Sequence, residues 1–316
     1  PSAGIGSFIG KKPKNLINAE YTAIEKDRLS GRIAKALYPE SNVIISGIED
    51  TDLNNNSFDV AIGNVPFGDF KIYDSDYENN NFLIHDYFFA KALDKVKPGG
   101  IVALITSSGT MDKKDDNVRK YLAERAELVG ALRLPNNTFT KNAGTSVTSD
   151  IIFLKKRENK IEITDDNRPD WLDLDEEQGE EINKYFKNNR SHVLGDLKLI
   201  STQFGKALAC VDDGLNTDIR TRISEAVSTF PPAFISTQSH SNKVIENIAD
   251  LADIKAYSIT LYDDELYIKK SEGIEKLDLK SDKDKDRVIQ LIKIRDDVQR
   301  LLNAQLDDKS ESEIRS

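Results

Sequence analysis

The chain has 316 residues, and its 54 acidic and 44 basic side chains give a formal net charge of −10. The single cysteine, Cys210, excludes an internal disulfide and a cysteine-built zinc site, and the three histidines are scattered. The sequence contains no apolar run long enough to span a membrane and opens without a secretory signal. We therefore expect a soluble, cytoplasmic protein of about two domains.

Charge is distributed unevenly along the chain. Residues 1–157 carry 21 Lys and Arg against 20 Asp and Glu, whereas residues 158–316 carry 23 against 34. An acidic surface repels phosphate groups, so the second part is not expected to grip nucleic acid by itself. We predict a domain at 1–157 that carries the chemistry and an acidic connector region at 158–316 without a catalytic residue.

The chain opens with a glycine-rich stretch, Pro-Ser-Ala-Gly-Ile-Gly-Ser-Phe-Ile-Gly. Closely spaced glycines allow tight backbone turns and a close approach to a bound cofactor. A Walker phosphate loop is excluded because no Gly-Lys-Ser/Thr follows at the required spacing. A dinucleotide fingerprint fits Gly4 and Gly6, but Ile9 stands where its third glycine belongs.

The segment 21–25 predicts a strand that ends in a carboxylate. Glu25 lies close to the spacing of about 20 residues after a glycine loop at which an acid meets ribose hydroxyls in nucleotide-binding βαβ units. An amphipathic helix is predicted at 27–38. Its apolar side is formed by Ile33, Ala34 and Leu37.

The segment 43–45 predicts the next strand, and two acidic residues follow its end. These are Glu49 and Asp50. A solvated acidic turn is the alternative to a binding role for this pair.

An apolar run at 60–62 stops at a polar, proline-stiffened corner formed by Asn64, Val65, Pro66 and Phe67. The run is typical of a buried parallel strand, and open α/β sheets bind ligands at the carboxyl ends of such strands. The proline restricts the backbone, so the Asn64 side chain and the Val65 carbonyl can be held as two convergent acceptors. With Phe67 as a stacking ring, they suit a planar group with an exocyclic NH2, such as an adenine lifted out of a duplex. An ordinary turn is the alternative.

The polar segment 69–81 predicts a mobile loop beside this corner. A helical stripe follows at 82–96, and the apolar run 101–105 predicts a strand in the middle of a parallel sheet. His85 lies on the predicted helix without a metal-spaced partner, which favours a structural role.

The rest of the first half predicts a helix at 117–126 and two closing strands at 128–134 and 150–154. Phe139 lies between these strands, and a core position is the alternative to any binding role for it.

In the second half, the acid-rich segment 159–189 predicts a solvated linker with short helices, anchored by Trp171. A β-hairpin is predicted at 259–268 and a long amphipathic helix at 284–306.

Two of these motifs resemble those of one enzyme family. The corner Asn-Val-Pro-Phe is similar to the Asn-Pro-Pro-Phe/Tyr signature of amino-group methyltransferases, above all the N6-adenine DNA methyltransferases, with Val65 where the first proline is usual. The run Pro-x-x-Gly-x-Gly-x-Phe resembles the first motif of the same family. The resemblance covers residues 1 to about 157 with the motifs in the expected order. It implies an α/β fold with the Rossmann-like sheet of S-adenosylmethionine-dependent methyltransferases, followed by a smaller α+β acidic region.

The resemblance also implies roles for the candidate residues. Asn64 and the Val65 carbonyl would accept from the target amino group of adenine in DNA, Pro66 would stiffen the corner and Phe67 would stack on the flipped base. S-adenosylmethionine would meet Glu25 through its ribose, and Glu49 or Asp50 through its adenine. Phe139 matches an aromatic residue that packs against the flipped base, and no metal is implied. The loop around the methionine part of the cofactor would comprise Pro1, Ala3, Gly4, Gly6 and Phe8.

The wider run Gly-Asn-Val-Pro-Phe-Gly resembles the methylase segment of very large methylase-helicase proteins of bacterial mobile elements. Other domains of such a protein would then supply DNA affinity. In the family the glycine loop follows the first strand of the sheet, and no such strand precedes Pro1 in this sequence. We therefore expect the chain alone to bind S-adenosylmethionine poorly, and an upstream extension of about 30 residues, one βα unit, to restore binding.

Two other functions stay open. A glutamine side-chain amide suits the same corner, so methylation of a protein glutamine is the second enzyme hypothesis. A catalytically idle scaffold within a mobile-element helicase is the third. Product analysis on DNA and protein substrates separates the first two, and cofactor binding tests the third.

Overall fold

The computed structural model describes residues 1–13, 16, 19–140, 146–202, 205–215, 217–231, 259–262, 265–270, 273–277, 281 and 285–295. The chain forms two compact units, Pro1–Thr237 and Gln238–Ser316. In these described ranges, no helix is both long and apolar enough to cross a membrane.

The first unit begins with a parallel pair of strands, β1 (Thr22–Ile24) and β2 (Asn42–Ile44), preceded by the one-turn helix α1 (Ser7–Gly10). The crossover between the strands is α2 (Arg28–Leu37), which begins where the Asp27 carboxylate accepts from the Ser30 N–H at 2.7 Å. At Gly31 a Cβ would lie 2.9 Å from the Ile45 side chain, so the helix packs closely on the end of β2. The predicted strands and helix are confirmed.

The buried side of α2 differs from the predicted one. Gly31 and Ala34 are its buried residues, whereas Ile33 and Leu37 are 39% and 56% exposed. Only small residues fit against β2 at this short distance, and the larger side chains therefore point away.

A larger sheet has four strands in the order β3-β4-β6-β5. Strands β3 and β4 are parallel, and β6 runs antiparallel to both β4 and β5. The predicted middle strand thus has one parallel and one antiparallel neighbour, and the predicted α/β class is confirmed. The strands are β3 (Phe58–Asn64), β4 (Val96–Ser107), β5 (Ala126–Leu134) and β6 (Ser149–Lys156). The helices that connect them are α3 (Ile84–Lys95), α4 (Gly109–Asp112) and α5 (Asn117–Arg125).

The main hydrophobic core lies around α3, which is buried from Ile84 to Leu93. Residues from the acid-rich segment join the same core: Trp171 is 6% exposed, and Ile182 and Phe186 are fully buried. The prediction of a solvated linker at 159–189 is therefore wrong, although Trp171 does anchor it. The acids of this segment line the surface, while the few apolar residues between them reach the core.

The remainder of the first unit is made of short elements. Strands β7 and β8 form one antiparallel pair, and β9 and β10 form another. Their bounds are β7 (Leu174–Glu177), β8 (Glu180–Asn183), α6 (Lys184–Asn188), β9 (Asp196–Thr202), β10 (Gly205–Val211) and α7 (Ile219–Ser228). The compact unit thus extends beyond residue 157, and the functional boundary placed there stays a prediction.

The second unit contains an antiparallel arrangement of β11 (Ile259–Tyr262), β12 (Glu265–Lys270) and β13 (Gly273–Lys276). The predicted hairpin is confirmed by the first two strands. Residues 285–295 are helical, as predicted, and the rest of the predicted helix to residue 306 lies outside the described residues.

The β1–β2 pair and the four-stranded sheet meet through the start of the chain. In the described part of the chain, no strand of one sheet pairs with a strand of the other. Instead the Ala3 N–H donates to the Ile24 carbonyl oxygen at 2.9 Å, and the Ser2 hydroxyl donates to the Asn64 carbonyl oxygen at 2.7 Å. The glycine-rich loop therefore lies between the carboxyl ends of β1 and β3.

Candidate functional site

The polar corner is an extension of the pairing between β3 and β4. Asn64 is the last residue of β3, and the Val65 N–H donates to the Ile105 carbonyl oxygen at 3.1 Å. The Val65 side chain is only 2% exposed, whereas Asn64 is exposed. The buried valine anchors the corner and leaves the Asn64 amide on the outer side, at the edge where parallel strands end.

The aromatic ring that follows is accessible. Pro66 is partly buried, and Phe67 is 38% exposed. At Gly68 a Cβ would lie 2.7 Å from the Phe70 ring, so the chain turns sharply just after the corner. Phe67 can therefore offer a ring face to a planar ligand.

The loop after the corner is fastened to α3, whereas its composition predicts a mobile loop. Asp74 accepts from the Tyr87 hydroxyl at 2.7 Å and from Lys91 Nζ at 2.8 Å. Both partners are buried, and Tyr77 packs edge-to-face on Tyr87 with ring centroids 5.3 Å apart. Buried partners on a helix are not visible in the loop's own sequence.

The glycine-rich loop bends through three left-handed residues: Ser2, Gly4 and Gly6 have φ of 47°, 56° and 87°. The Gly4 N–H donates to Glu25 Oε2 at 2.7 Å, and Glu25 Oε1 accepts from the Asp27 N–H at 2.8 Å. A Cβ at Gly4 would meet no atom within 4 Å, so one face of the loop is open. This open face at a strand's carboxyl end fits the part of a cofactor that the sequence assigns to the loop.

The other predicted cofactor residues flank this loop. Pro1 contacts β3, since a Cβ at Gly63 would lie 2.7 Å from the Pro1 carbonyl oxygen. Phe8 is 38% exposed on α1. Ala3 holds β1 through its N–H, as described above.

The acidic pair after β2 lies on a single 3-10 turn. Glu49 forms an ion pair with Lys26 at 2.6 Å, and this hydrogen bond raises the pKa of Lys26. Asp50 is exposed. Glu49 and Asp50 both stay predictions for the cofactor's adenine.

Phe139 is half-buried and packs against the cluster of Leu132, Leu134, Leu194 and Ala226. This packing matches the core alternative, and a contact of Phe139 with a flipped base stays a prediction.

A buried charge network lies behind the corner and was missed by the sequence reasoning. Arg133 in β5 donates from two nitrogens to Asp150 in β6, each at 2.9 Å, and lies 2.8 Å from Asp112. Burial opposes the charge of Arg133, but Asp150 and Asp112 raise its pKa. The network holds α4 where β4 ends. Arg133 and Asp150 lie within otherwise apolar strands. Charged residues at such positions are the sequence feature from which the network could have been predicted.

Within the described ranges, no cluster of three or more His, Cys, Asp or Glu side chains could hold a metal ion.

The structure brings together the glycine loop, Glu25 and the Asn64 corner.

Residues 8–139 match the Eco57I restriction-modification methylase family. "Defense against restriction protein B" of Escherichia phage P1 is 38% identical over 162 residues, which are 49% of this chain and 7% of that protein. The rRNA N(6)-adenosine-methyltransferase metl-5 of Caenorhabditis elegans is 33% identical over 138 residues, 43% of this chain and 56% of that protein. The chain thus spans less than two thirds of both relatives.

Among solved structures, the methyltransferase subunit of a type I restriction-modification system from Streptococcus thermophilus aligns with a TM-score of 0.42. It is 17% identical, and the alignment covers 61% of this chain and 46% of that chain. The family resemblance predicted from the motifs is confirmed by the family match: residues 8–139 are similar to the Eco57I restriction-modification methylases.

Proposed function

We propose that this chain carries a methyltransferase that transfers a methyl group from S-adenosylmethionine to the N6 amino group of adenine in DNA. The observation that carries the proposal is the hydrogen bond of 2.7 Å from the Ser2 hydroxyl to the Asn64 carbonyl oxygen. It joins the cofactor loop to the acceptor corner, so both reactants would be held where β1 and β3 end.

The cofactor would be held on the side of β1. The open face at Gly4 would receive its methionine part, and Glu25, already fixed by the Gly4 and Asp27 N–H groups, would meet its ribose. When bound, S-adenosylmethionine supplies an electrophilic methyl group next to the corner.

The corner activates the acceptor. The Asn64 side-chain oxygen and the Val65 carbonyl accept from the two N–H bonds of the adenine amino group, which makes its nitrogen lone pair available. That lone pair would form the new bond to the methyl carbon as the carbon–sulfur bond breaks and its electron pair stays on the departing sulfur. The methylated nitrogen would then release one proton to solvent. Phe67 stacks on the base. Positioning and polarisation supply the rate, since no covalent intermediate with the enzyme is required.

DNA is preferred as the acceptor because the matched family is one of restriction-modification methylases. RNA is the second candidate, favoured by the 33% identity to an rRNA N(6)-adenosine-methyltransferase. Both acceptors present the same amino group to Asn64, so the corner does not distinguish them. Domains outside this chain would supply DNA affinity, in keeping with the 7% of the phage P1 protein that it spans.

The test is long-read modification mapping of host DNA with the natural gene, without it, and with its Asn64→Ala variant. We expect N6-methyladenine at a short repeated sequence only with the unaltered gene. Host rRNA and protein glutamines are analysed in parallel. Methylation confined to either of these would overturn the DNA assignment, and methylation that persists in Asn64→Ala would overturn the site.

A further inference from the structure

The first turn of α3 buries two polar side chains that lack ordinary partners. His85 and Asp86 are 6% and 2% exposed. Among the described residues, His85 Nδ1 and both carboxylate oxygens of Asp86 have no hydrogen-bond partner. The two side chains approach each other at 3.5 Å, between His85 Nε2 and Asp86 Oδ1. Buried polar groups are nearly always satisfied, so an unpaired pair in a core helix calls for an explanation.

The next polar residues of the same helix are satisfied. Tyr87 and Lys91 both donate to Asp74, at 2.7 and 2.8 Å. The unpaired state is therefore specific to the first turn of α3 and is not a general feature of this helix.

His85 lines a cavity of about 330 Å³ together with Asp69, Ser107 and Lys113. Ser107 is the last residue of β4, two positions after Ile105, which pairs with Asn64. Asp69 lies two positions after Phe67, the end of the corner. The cavity therefore opens at the carboxyl edge of the sheet, beside the Asn64 corner. Its volume is within the range of small-molecule sites, about 300–1,000 Å³.

The charges around the cavity favour a neutral ligand with acceptor atoms. Asp112, which also lines it, is already occupied by Arg133 at 2.8 Å and by the Asn183 N–H at 2.9 Å. Burial raises the pKa of Asp86 against the opposing influence of His85. Three donors remain on the lining: the His85 ring, the Ser107 hydroxyl and the Lys113 ammonium.

These donors complement the acceptors of the corner. An adenine whose amino group is bound at Asn64 and Val65 still presents ring nitrogens, which are hydrogen-bond acceptors. We propose that His85 is a specificity-determining residue whose imidazole, on the lining of the cavity, donates to a ring nitrogen of the acceptor base. This inference rests on the proposed function, because it takes the acceptor to be an adenine.

The first test compares His85→Phe with His85→Gln in the natural protein. Phe fills the space without a donor, whereas Gln keeps one. We expect KM for the acceptor to rise about tenfold in His85→Phe, the loss for one hydrogen bond in binding, and Gln to restore most of it. The rate constant kcat and the affinity for S-adenosylmethionine should not change. His192→Gln is the control, since the His192 ring is paired with Tyr185 and Thr229.

The second test identifies which ring nitrogen of adenine accepts the hydrogen bond from His85. Oligonucleotides with 1-deaza-, 3-deaza- or 7-deazaadenine keep the amino group and each lack one ring nitrogen. One analogue should raise KM for the unaltered protein about tenfold and cause no further rise in His85→Phe, because both changes remove the same hydrogen bond. Additive effects for all three analogues would overturn the proposal.

Other outcomes separate this inference from the proposed function. If the unaltered protein methylates adenine and His85→Phe is as active, only the role of His85 fails. Equal damage by Phe and Gln together with weaker cofactor binding would show a purely structural histidine. If no adenine is methylated, the proposed function fails. Nitrogen NMR of the His85 ring then tests separately whether His85 binds the base. Added adenosine should shift the His85 signals and spare those of His192, whereas unchanged His85 signals would overturn the proposal.

Discussion

The four-stranded sheet and the β1–β2 pair of the first unit differ in how much of the molecule covers them. The four-stranded sheet packs against α3, α5 and residues as distant as Phe186, all in one core. Ile24 of β1 reaches the main core, but the other buried residues around the β1–β2 pair form a separate, smaller cluster. That cluster consists of Ile9, Ala23, Ala34 and Val43. Parallel strands are normally covered on both faces by apolar residues. The small cluster around the β1–β2 pair provides less apolar packing than that arrangement usually has.

Exposed apolar side chains occur on α2, beside the smaller sheet, and on β3, the edge strand of the larger sheet. Leu29, Ile33 and Leu37 on α2 are 67%, 39% and 56% exposed, and Val60 and Ile62 of β3 are 41% and 36% exposed. The larger sheet thus presents a preorganised acceptor corner. The cofactor side is joined to the larger sheet through the loop residues Ser2 and Ala3 and through Ile24 and Ile48 in the main core, and we expect it to gain stability from its ligand.

The different roles of the two sheets are tested most directly by removing the acceptor group, the side-chain amide of Asn64. Asn64→Ala should lower methyl transfer at least about 10²–10³-fold, the usual cost of one preorganised polar group at a reacting centre. Calorimetry should show unchanged S-adenosylmethionine affinity, because Asn64 belongs to the larger sheet. Asn80→Ala, at an exposed asparagine of the loop after the corner, is the control. Loss of cofactor binding in Asn64→Ala would contradict the division of roles.

Core truncations test the difference in packing. Leu104→Ala, in β4, should lower the free energy of unfolding by about 2–5 kcal/mol. Val43→Ala, in β2, should cost about 1–2 kcal/mol for its two methyl groups. Urea denaturation measures both.

The thiol of Cys210 provides a second readout of the packing difference. It is fully buried in the larger core, and burial raises its pKa to about 12. A thiol reagent should therefore label it only after that core opens, so Leu104→Ala should speed labelling and Val43→Ala should not. Equal labelling of both variants would show that the sheets open together.

Glu25→Ala tests the cofactor side. The Glu25 carboxylate accepts from two backbone N–H groups and is assigned to the cofactor ribose. Its loss should weaken S-adenosylmethionine binding by about 1–3 kcal/mol, the range for hydrogen bonds to a charged group. Glu20→Ala, at an exposed acid before β1, should leave the affinity unchanged. Normal affinity with slow transfer in Glu25→Ala would reverse the assignment.

The smallest effect concerns the acid-rich segment packed on the larger sheet. Arg168 bonds Asp116 at 2.5 Å, and this hydrogen bond lowers the pKa of Asp116. Both side chains are about one-third exposed, so Arg168→Met should cost at most about 1 kcal/mol at pH 7. A depressed carboxyl pKa contributes stability above its unfolded value, near 4, and loses it as pH falls through the folded value.

The measurement is the difference in unfolding free energy between Arg168→Met and the parent protein. It should shrink from pH 7 to pH 3, and a difference that grows at low pH would contradict this role. Arg190→Met, which removes a pair with Glu177 elsewhere in the segment, is the comparison variant.

Several site features were predictable because neighbouring residues determine them. The apolar run before Asn64 predicts β3 and places the corner at its end, and the glycines at 4 and 6 predict the tight loop that their positive φ values show. Asp27 predicts the start of α2 because a helix's first N–H groups need an acceptor. The pairing of Ser2 with Asn64, 62 positions apart, is not visible in either motif.

The sequence by itself determined the α/β class, the order of the motifs and the family resemblance, since these depend on residue types at short spacings. Only the tertiary structure decided that Asp74 is fastened to Lys91 and that Trp171 and Phe186 belong to the main core. It also decided that His85 Nδ1 and the Asp86 carboxylate are buried with no hydrogen-bond partner among the described residues. The physical reason is that burial and pairing depend on what the fold brings alongside a residue. An acid-rich segment with a few apolar side chains, or a lone histidine on a helix, has the same local pattern whether or not another element covers it.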